Sequence, residues 1–338
     1  MVNSLPPGKL PLGLLDELLG DIPDEDARVL VGPRLGEDAA VIEFGDTCLV
    51  AKTDPITFAT DEIGYYAIHV SANDIATMGA EPRWFLPALL LPDGHTNAAS
   101  VRDIFSSIQS AASEAGIAIC GGHTEITVGL DRPIVVGQML GEVPSDRLIR
   151  SDGLREGDRL LMTKGLGVEG TALIARELGE ELDARGLSAD LIERAAGFLH
   201  DPGISVLAEA RAVCDAVRPH AMHDPTEGGV ATALRELAAA SKVGLAVYAD
   251  ALFLAPETDA ICETMKIDPL GLISSGALLI GVAPEDVDTA KDTLDRIDVT
   301  SGVIARVESA GFGLRYGSGT DWHDLPSFDR DEIARLFG

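Results

Sequence analysis

Residues 72–80 read Ala72-Asn73-Asp74-Ile75-Ala76-Thr77-Met78-Gly79-Ala80 and complete a helical stretch that begins near Ile63. Alanine and isoleucine recur there at helical spacing, so the stretch predicts a largely apolar, packed helix. A carboxylate inside such a helix is unfavourable unless it has a partner. Asn73 and Asp74 are therefore harder to explain as simple helix caps than most polar residues of this chain.

Segments that predict strands and helices alternate on both sides of this stretch. The predicted strands are short, rich in Val, Ile and Leu, and bounded by turn residues; they cover residues 39–42, 48–52, 117–120, 134–140, 159–163, 246–248 and 277–282. The predicted helices cover residues 10–19, 63–78, 98–115, 169–178, 189–198 and 284–297. Strands and helices mix throughout and no repeat of fixed period is present, so the sequence predicts an α/β (α+β) fold.

A polar segment at residues 145–158 marks the boundary between two domains. The chain has 338 residues, and at roughly 150 residues per domain this length also predicts about two domains. We place an N-terminal arm and helix at residues 1–30, a first domain at 31–150 and a second domain at 151–338.

The composition excludes several classes of protein. The chain has 55 acidic and 26 basic residues, a formal net charge of −29, and no basic patch, so a nucleic-acid binder is disfavoured. No run reaches the roughly 18 apolar residues that span a bilayer, and the four cysteines form no Cys-x-x-Cys pair, so we expect a reduced, cytoplasmic protein. The acid excess suits either a halophilic, archaeal source or simply an acidic cytosolic protein.

Four clusters that place carboxylates or amides in turns or in the helix are candidates for chemistry. They are Gly36-Glu37-Asp38-Ala39-Ala40, Thr53-Asp54-Pro55, Asn73-Asp74 and His223-Asp224-Pro225-Thr226-Glu227-Gly228-Gly229. Mg²⁺ takes oxygen ligands and is commonly shared between carboxylates and substrate phosphates, so Asp residues gathered from separate segments would suit it. Taken alone, each Asp-Gly or Asp-Pro cluster is more simply a cap or a turn.

A glycine pair follows the predicted strand at 117–120, in the sequence Gly121-Gly122-His123-Thr124-Glu125. Glycines let the backbone approach a ligand, and their N–H groups can cradle phosphate oxygens. His123 alone is more simply a hydrogen-bonded turn residue than a catalyst. Lys164, beside Gly165, offers a cation next to flexible backbone. The chain lacks the G-x-x-x-x-G-K-[ST] motif, so any nucleotide site must be of a different design from the P-loop.

Taken in order, these clusters resemble a superfamily of ATP-dependent enzymes that includes aminoimidazole ribonucleotide synthetase, thiamine-monophosphate kinase, selenophosphate synthetase and the hydrogenase-maturation protein HypE. The resemblance covers residues 32–307. Besides the clusters at 36–40, 53–54, 72–80 and 224–229, it includes Gly121-Gly122-His123-Thr124, Thr163-Lys164, Glu169-Gly170-Thr171 and Ser274-Ser275-Gly276. Each motif is common alone, whereas their order and spacing together are specific.

The resemblance implies an N-terminal α/β domain whose sheet pairs across a homodimer into a β-barrel, followed by a C-terminal α/β domain. It implies ATP in a groove between the domains and Mg²⁺ held by acidic residues, which match Asp38, Asp54, Asp74 and Asp224. It implies nucleotide contacts for Asp38, Thr53, Asn73, Gly121, Gly122, Thr124, Glu227 and Gly228. It implies catalytic roles for Asp224, His123 and Lys164.

Among these families the pattern looks most similar to HypE-like archaeal proteins. HypE carries a thiocarboxamide on a cysteine at the very C-terminus and dehydrates it. The present sequence ends Arg335-Leu336-Phe337-Gly338, which speaks against dehydration of a carried thiocarboxamide. Selenophosphate synthetase is disfavoured because the first 47 residues contain no cysteine. The resemblance therefore implies an ATP- and Mg²⁺-dependent enzyme that transfers a phosphoryl group to a small molecule. A thiamine-monophosphate kinase-like enzyme and a non-catalytic nucleotide-binding maturation or regulatory protein stay open as alternatives.

Overall fold

The computed structural model describes residues 5, 10, 12–23, 26–34 and 36–337. Lys9 and most of the predicted N-terminal arm lie outside these residues, and the predicted helix at 10–19 is confirmed as α1 (Leu12–Gly20). The chain divides into two compact units. The N-terminal unit comprises residues 26–32 and 38–148, and the C-terminal unit comprises the described residues of 1–25, 33–37 and 149–338.

The N-terminal unit is built on one mixed sheet that carries two helices within its described residues. Its elements are β1 (Val29–Val31), β2 (Ala40–Phe44), β3 (Thr47–Ile56), α2 (Ile63–Thr77), β4 (Glu81–Pro92), α3 (Ala98–Glu114), β5 (Ala118–Ile119), β6 (His123–Thr127) and β7 (Ile134–Pro144). The strand order is β1-β2-β3-β7-β4-β5, with β6 also beside β4. Strands β5 and β6 run parallel to β4, and the other pairs are antiparallel.

Helix α2 packs on strands β3 and β7, and two glycines of β7 make room for it. A Cβ atom at Gly137 would lie 2.5 Å from Ser71 Oγ, and one at Gly141 would lie 2.3 Å from Ile75 Cγ2. Each pair of residues is four apart along its own element, so the helix rests against the strand at two points. Interiors are packed to crystal-like density, and this fit therefore fixes the turn of α2 that carries Asp74.

Strand β4 lies in the middle of the sheet but was not predicted from the sequence, because it contains Pro82, Pro87 and Pro92. Proline cannot donate a ladder hydrogen bond and normally argues against an inner strand. The register against β7 shifts between Pro82 and Trp84. On the other side, β5 pairs with residues 84–85 of β4 and β6 with residues 88–92, so Pro87 falls between the two pairings.

The C-terminal unit contains a second mixed sheet, flanked by helices. Its further elements are β8 (Arg159–Thr163), α4 (Val168–Glu177), α5 (Gly179–Ala184), α6 (Ala189–Gly197), α7 (Leu207–Ala216), β9 (Ala221–His223), α8 (Gly229–Ser241), β10 (Gly244–Tyr248), α9 (Pro256–Met265), β11 (Leu279–Val282), α10 (Val287–Asp295), β12 (Ser301–Glu308), β13 (Leu314–Ser318), β14 (Asp321–Asp324) and α11 (Ala334–Phe337). The strand order is β14-β13-β10-β12-β8-β11-β9. Among the described strands of this second sheet, β10 and β13 are parallel and the other neighbours are antiparallel.

The predicted fold class is confirmed, because both units combine helices with a mixed sheet. A core cluster of the C-terminal unit joins apolar side chains of β8, α8, β10, β11 and β12. Helix α8 and strands β12, β13 and β14 were not among the predicted elements. No helix in the described part of the chain is both long enough and apolar enough to cross a membrane.

Candidate functional site

In the N-terminal unit, one lysine and three carboxylates lie together beside α2. Lys52 and Asp54 come from β3, Asp74 from α2, and Asp38 from the residues just before β2. The Nζ atom of Lys52 lies 3.0 Å from Oδ1 of Asp74. A carboxylate oxygen of Asp38 and one of Asp74 lie within 4.8 Å of each other. We call these four residues the carboxylate cluster.

The alternation of side chains along β3 brings two of these residues to α2. Cys48, Val50 and Ile56 are buried, and every second residue of a strand faces the same side of its sheet. Lys52 and Asp54 belong to this same set. The predicted turn Thr53-Asp54-Pro55 is therefore wrong as a turn, because it lies inside the ten-residue strand β3, where Thr53 pairs with Gln138 of β7.

The charges of the cluster act strongly on the lysine. Burial alone would lower the pKa of Lys52, but the carboxylates of Asp74, Asp54 and Asp38 raise it well above its ordinary value. The ammonium therefore stays charged at any physiological pH. The Asp74 side chain is only 2% exposed, so its pair with Lys52 is largely shielded from solvent.

The donor atoms of the cluster fit a hard divalent cation. Mg²⁺ prefers oxygen ligands in a compact arrangement, and it is usually held by one or two carboxylates together with substrate phosphates and water. Asp38 and Asp74 offer buried carboxylate oxygens at close range, and the charge of Asp54 acts on the same lysine. No histidine or cysteine belongs to this group among the described residues, which suits Mg²⁺ better than zinc.

Two other predicted residues of this region have different surroundings. Thr53 is exposed, and its side chain points to the opposite side of β3 from Lys52 and Asp54. Asn73 is fully buried within α2, next to Asp74. Only Asn73 thus shares the helix turn that carries a member of the carboxylate cluster.

The predicted glycine turn after residue 120 leads into the edge strand β6. Gly122 has a φ of +146°, and a Cβ atom there would lie 2.4 Å from the carbonyl oxygen of Pro87. The need for glycine is therefore explained by the neighbouring strand β4. His123 and Thr124 are exposed on β6, and Nε2 of His123 lies 3.3 Å from Oε2 of Glu125.

Strands β4 and β7 separate β6 from β3 in the sheet. Neighbouring strands lie about 4.8 Å apart, so His123 and Thr124 are not brought to the carboxylate cluster within this sheet. The same holds for Gly121, which lies two residues before this strand and is exposed.

In the C-terminal unit, Asp224 follows β9 and is buried, and the motif ends in a glycine turn that begins α8. Gly228 and Gly229 have φ values of +89° and +63°, in the left-handed region that favours glycine. Glu227 is half-buried beside them. The Nε2 atom of His223 lies 3.1 Å from Oε2 of Glu236 on α8, which ties β9 to that helix.

Lys164 is engaged entirely within the C-terminal unit. Its Nζ atom lies 2.6 Å from Oε1 of Glu209 and donates to the carbonyl oxygens of Gly203 at 3.0 Å and Ser205 at 2.6 Å. Two hydrogen bonds and one ion pair thus engage the ammonium group. These contacts connect the end of β8 to α7 and to the residues just before it, and the catalytic role predicted for Lys164 stays a prediction.

Residues 165–170 match the spacing G-x-G-x-x-G, which covers the end of the loop after β8 and the first turn of α4. In a dinucleotide-binding unit this spacing joins parallel strands through a helix. Here β8 pairs only with antiparallel neighbours among the described strands. Protein atoms also crowd the glycines, since a Cβ atom at Gly165 would meet Phe253 and one at Gly170 would meet Leu272. The glycines therefore serve packing, and no dinucleotide fold is indicated.

Two residues with site-like surroundings were missed from the sequence. Lys52 was missed because a lysine near the predicted end of a strand looks like the boundary of that strand, although its place in the buried alternation of β3 was a usable signal.

Asp331 is 2% exposed and accepts a 2.5 Å hydrogen bond from the Gly228 N–H group, 103 residues away. Burial raises the pKa of Asp331 to about 7, against the opposing effect of hydrogen bonds from backbone N–H groups. No local sequence signal predicts this contact.

Comparison with known proteins matches most of the chain to one family. The family model described as AIR synthase related protein, N-terminal domain, matches residues 36–143, and the corresponding C-terminal domain matches residues 155–316. The carbamoyl dehydratase HypE of Cupriavidus necator is 32% identical over 263 residues, which cover 75% of this chain and 71% of that protein.

Two solved structures show the same fold. A hydrogenase maturation protein HypE in complex with ATP aligns with a TM-score of 0.66 and 23% identity, covering 94% of this chain and 92% of that one. The thiamine monophosphate kinase from Aquifex aeolicus aligns with a TM-score of 0.68 and 20% identity, covering 91% of this chain and 97% of that one.

Proposed function

This chain belongs to the AIR synthase related family, and from that premise we propose that it is an ATP- and Mg²⁺-dependent enzyme that transfers a phosphoryl group to a small molecule. The observation that carries the proposal is the carboxylate cluster, where buried oxygens of Asp38 and Asp74 lie within 4.8 Å of each other beside Lys52. The solved HypE structure with ATP and the structure of the thiamine monophosphate kinase support a nucleotide substrate.

Asp38, Asp54 and Asp74 would hold the metal ion. When bound, Mg²⁺ neutralises charge on the transferring phosphate and helps to orient it. Lys52 holds Asp74 in place through its 3.0 Å ion pair, and it adds a second positive charge where phosphate oxygens would arrive. We propose Lys52 for this task in place of Lys164, which is engaged by the Glu209 carboxylate and two carbonyl oxygens.

The remaining site residues keep roles that rest on the resemblance of their motifs. These proposals are a metal contact and a catalytic role for Asp224, a catalytic role for His123, and nucleotide contacts for Thr53, Asn73, Gly121, Gly122, Thr124, Glu227 and Gly228. The burial of Asp224 and Asn73 supports their assignment, because a buried polar group is retained where it has a partner or a task. The exposure of His123 and Thr124 gives no such support.

We also propose a homodimer that pairs the sheets of two N-terminal units. Strand β6 is an edge strand that pairs only with β4 among the described strands, and Ile126 on it is 55% exposed. Val128, just after the strand, is 79% exposed. An exposed edge with apolar side chains is a surface that a second strand can cover. Light scattering across a range of salt should give a dimer mass, and a monomer at every salt concentration would contradict the shared sheet.

The proposed function is tested by titrating the protein with ATP in a calorimeter, with and without Mg²⁺. The Asp74→Asn variant should lose at least about 100-fold in Mg²⁺-dependent affinity, because a ligand carboxylate is removed. Asp93→Asn changes an exposed aspartate of the same unit and should bind like the wild type. Unchanged binding by the Asp74→Asn variant would remove the metal assignment.

Turnover is measured separately as ADP release, with thiamine monophosphate as one candidate acceptor because a structural neighbour is a kinase for that compound. Phosphorylation of thiamine monophosphate would establish the kinase alternative. Tight ATP binding without turnover on any candidate acceptor would instead favour the non-catalytic nucleotide-binding alternative.

A further inference from the structure

The glycine turn that begins α8 cannot stabilise its own first residue. Gly228 is the N-cap of α8 and has no side chain to serve as a cap. In a capping box, a side chain three residues into the helix accepts a hydrogen bond from the N-cap N–H group. That position is Ala231 here, which cannot accept one. The missing acceptor must therefore come from another part of the chain.

Asp331 supplies this acceptor. Its Oδ2 atom accepts from the Gly228 N–H group at 2.5 Å, and its Oδ1 atom accepts from the Ile333 N–H group at 2.7 Å. The second bond comes from the residues around Asp331 itself, so the carboxyl group is held in the orientation that meets the turn. Asp331 is 2% exposed, and water cannot easily replace either bond.

The segment around Asp331, residues 325–337, is fastened to the same part of the C-terminal unit, and we call it the C-terminal strap. Arg235 of α8 donates hydrogen bonds to the carbonyl oxygens of Leu325 and Pro326. The Leu325 N–H group donates to the Leu314 carbonyl oxygen at 2.9 Å. The strap is thus anchored to α8 and to β13 before it reaches Asp331.

The strap also supports the segment that packs on the second glycine. A Cβ atom at Gly229 would lie 2.5 Å from the carbonyl oxygen of Leu270. Next to Leu270, Gly271 lies directly under the ring of Phe328, and its carbonyl oxygen accepts from the Glu332 N–H group at 3.0 Å. The strap therefore supports the glycine turn in two ways, directly through Asp331 and indirectly through the segment at 268–272.

Two adjacent glycines have more accessible backbone conformations than any other dipeptide, and ordering them on ligand binding lowers affinity. A turn that is already fixed avoids that loss. We propose that Asp331 is a positioning residue that fixes the Gly228–Gly229 turn in the conformation that meets nucleotide phosphate. The inference rests on the proposed function for the phosphate contact, whereas the hydrogen bond to Gly228 stands by itself.

Hydrogen exchange of the backbone amides in residues 228–234, without nucleotide, tests the contact. The Asp331→Asn variant keeps the size of the side chain but turns one of its two acceptors into a donor, so these amides should exchange at least about 10-fold faster. Asp329→Asn, an exposed aspartate two residues earlier, should exchange like the wild type. Amides of β8 report whether the unit is still folded.

Affinity for ATP and for AMP, each with Mg²⁺, tests the consequence for binding. The Asp331→Asn variant should lose about 10-fold of the preference for ATP over AMP, because AMP lacks the β- and γ-phosphates that ATP would present to the turn. A general loss of structure would lower both affinities alike and leave the ratio unchanged. If Asp331→Asn prevents folding, Glu332→Gln, which weakens the strap at Asp268 and Arg335, should show the same pattern to a smaller extent.

Unchanged exchange in residues 228–234 would overturn the inference. Faster exchange with an unchanged ratio of affinities would overturn it as well, because the strap would then stabilise the turn without serving the site. Wild-type protein that binds neither nucleotide would instead refute the proposed function. That outcome is distinguishable, since failure of the inference alone leaves ATP binding by the wild type intact.

Discussion

Each unit of this protein buries a lysine against a carboxylate, and the two pairs differ in what surrounds them. In the C-terminal unit, Lys164 meets one carboxylate and two carbonyl oxygens, and its side chain is 7% exposed. In the N-terminal unit, Lys52 meets Asp74 at 3.0 Å with Asp54 and Asp38 also acting on it, and its side chain is 22% exposed.

The difference separates a structural ion pair from one suited to binding. Around Lys164, one positive charge faces one negative charge, and two carbonyl oxygens accept hydrogen bonds from the ammonium group. Around Lys52, three carboxylates outnumber the ammonium, and the lysine keeps some access to solvent. In the proposed function, Mg²⁺ would offset the excess negative charge around Lys52, whereas a cation beside Lys164 would compete with that lysine for Glu209. The contacts of a lysine thus say more about its role than its position in a motif.

The largest loss of stability is expected when the ion pair between Lys164 and Glu209 is broken. Lys164→Met leaves Glu209 buried without its cation and should lower the free energy of unfolding by about 3–5 kcal/mol. Urea unfolding with and without Mg²⁺ measures this, and Mg²⁺ should not restore the loss. Lys242→Met, which replaces an exposed lysine of the same unit, is the matched control. If Mg²⁺ restored the free energy of unfolding of the Lys164→Met variant, the proposed difference between the Lys164 pair and the Lys52 pair would be contradicted.

A smaller and reversible effect is expected at the other lysine. Lys52→Met should lower the free energy of unfolding by about 1–3 kcal/mol in EDTA, because the carboxylate cluster loses its built-in cation. Here Mg²⁺ should restore most of the loss, because its binding to the folded state adds stability. Thermal unfolding in EDTA and in Mg²⁺ measures both quantities. A loss that Mg²⁺ leaves untouched would place Lys52 in the same class as Lys164.

Asp331 differs from the acids of both lysine pairs, because it is a buried acid bound by backbone N–H groups and not by a lysine. Its pKa is raised from 3.8 to about 7, so between these values the folded state binds more protons than the unfolded chain. Stability conferred by this group is therefore present at low pH and lost as the pH rises through that window, by at most about 1.4 kcal/mol per pH unit.

Urea unfolding of the wild type and the Asp331→Asn variant from pH 4 to 8 isolates this contribution. The difference between their free energies of unfolding should change in favour of the variant as the pH rises to 7, and level off above it. A difference that does not vary with pH would show that Asp331 is already ionised across the whole range.

The elements with clear periodicity were predictable from the sequence. Helices α2 and α3 and strands β7 and β8 lie where the apolar spacing predicts them. Strand β4 was not predictable, because its prolines are tolerated only through the bulge near Pro82 and the gap between β5 and β6. Such compensation depends on neighbouring strands, and a local window of sequence does not contain it.

The candidate site was predictable in part for the same reason. Asp74 could be singled out because a carboxylate in an apolar helix needs a partner, and the structure provides Lys52. Lys164 was assigned from a motif, whereas its actual acceptors lie about 40 residues further on, in a region with no motif of its own. The sequence therefore indicates which polar residues need explanation, while their partners are decided by packing.

The bond between Asp331 and Gly228 also has a consequence for biosynthesis. Asp331 is the 103rd residue that the ribosome adds after Gly228. At about 5–20 residues per second, that delay is about 5–20 s. Throughout this interval the nascent chain already contains every residue of the carboxylate cluster and of the glycine turn, yet the hydrogen bond that fixes the turn cannot form. Nascent chains stalled before the strap emerges should therefore contain a fully synthesised Gly228–Gly229 turn that lacks its hydrogen bond to Asp331.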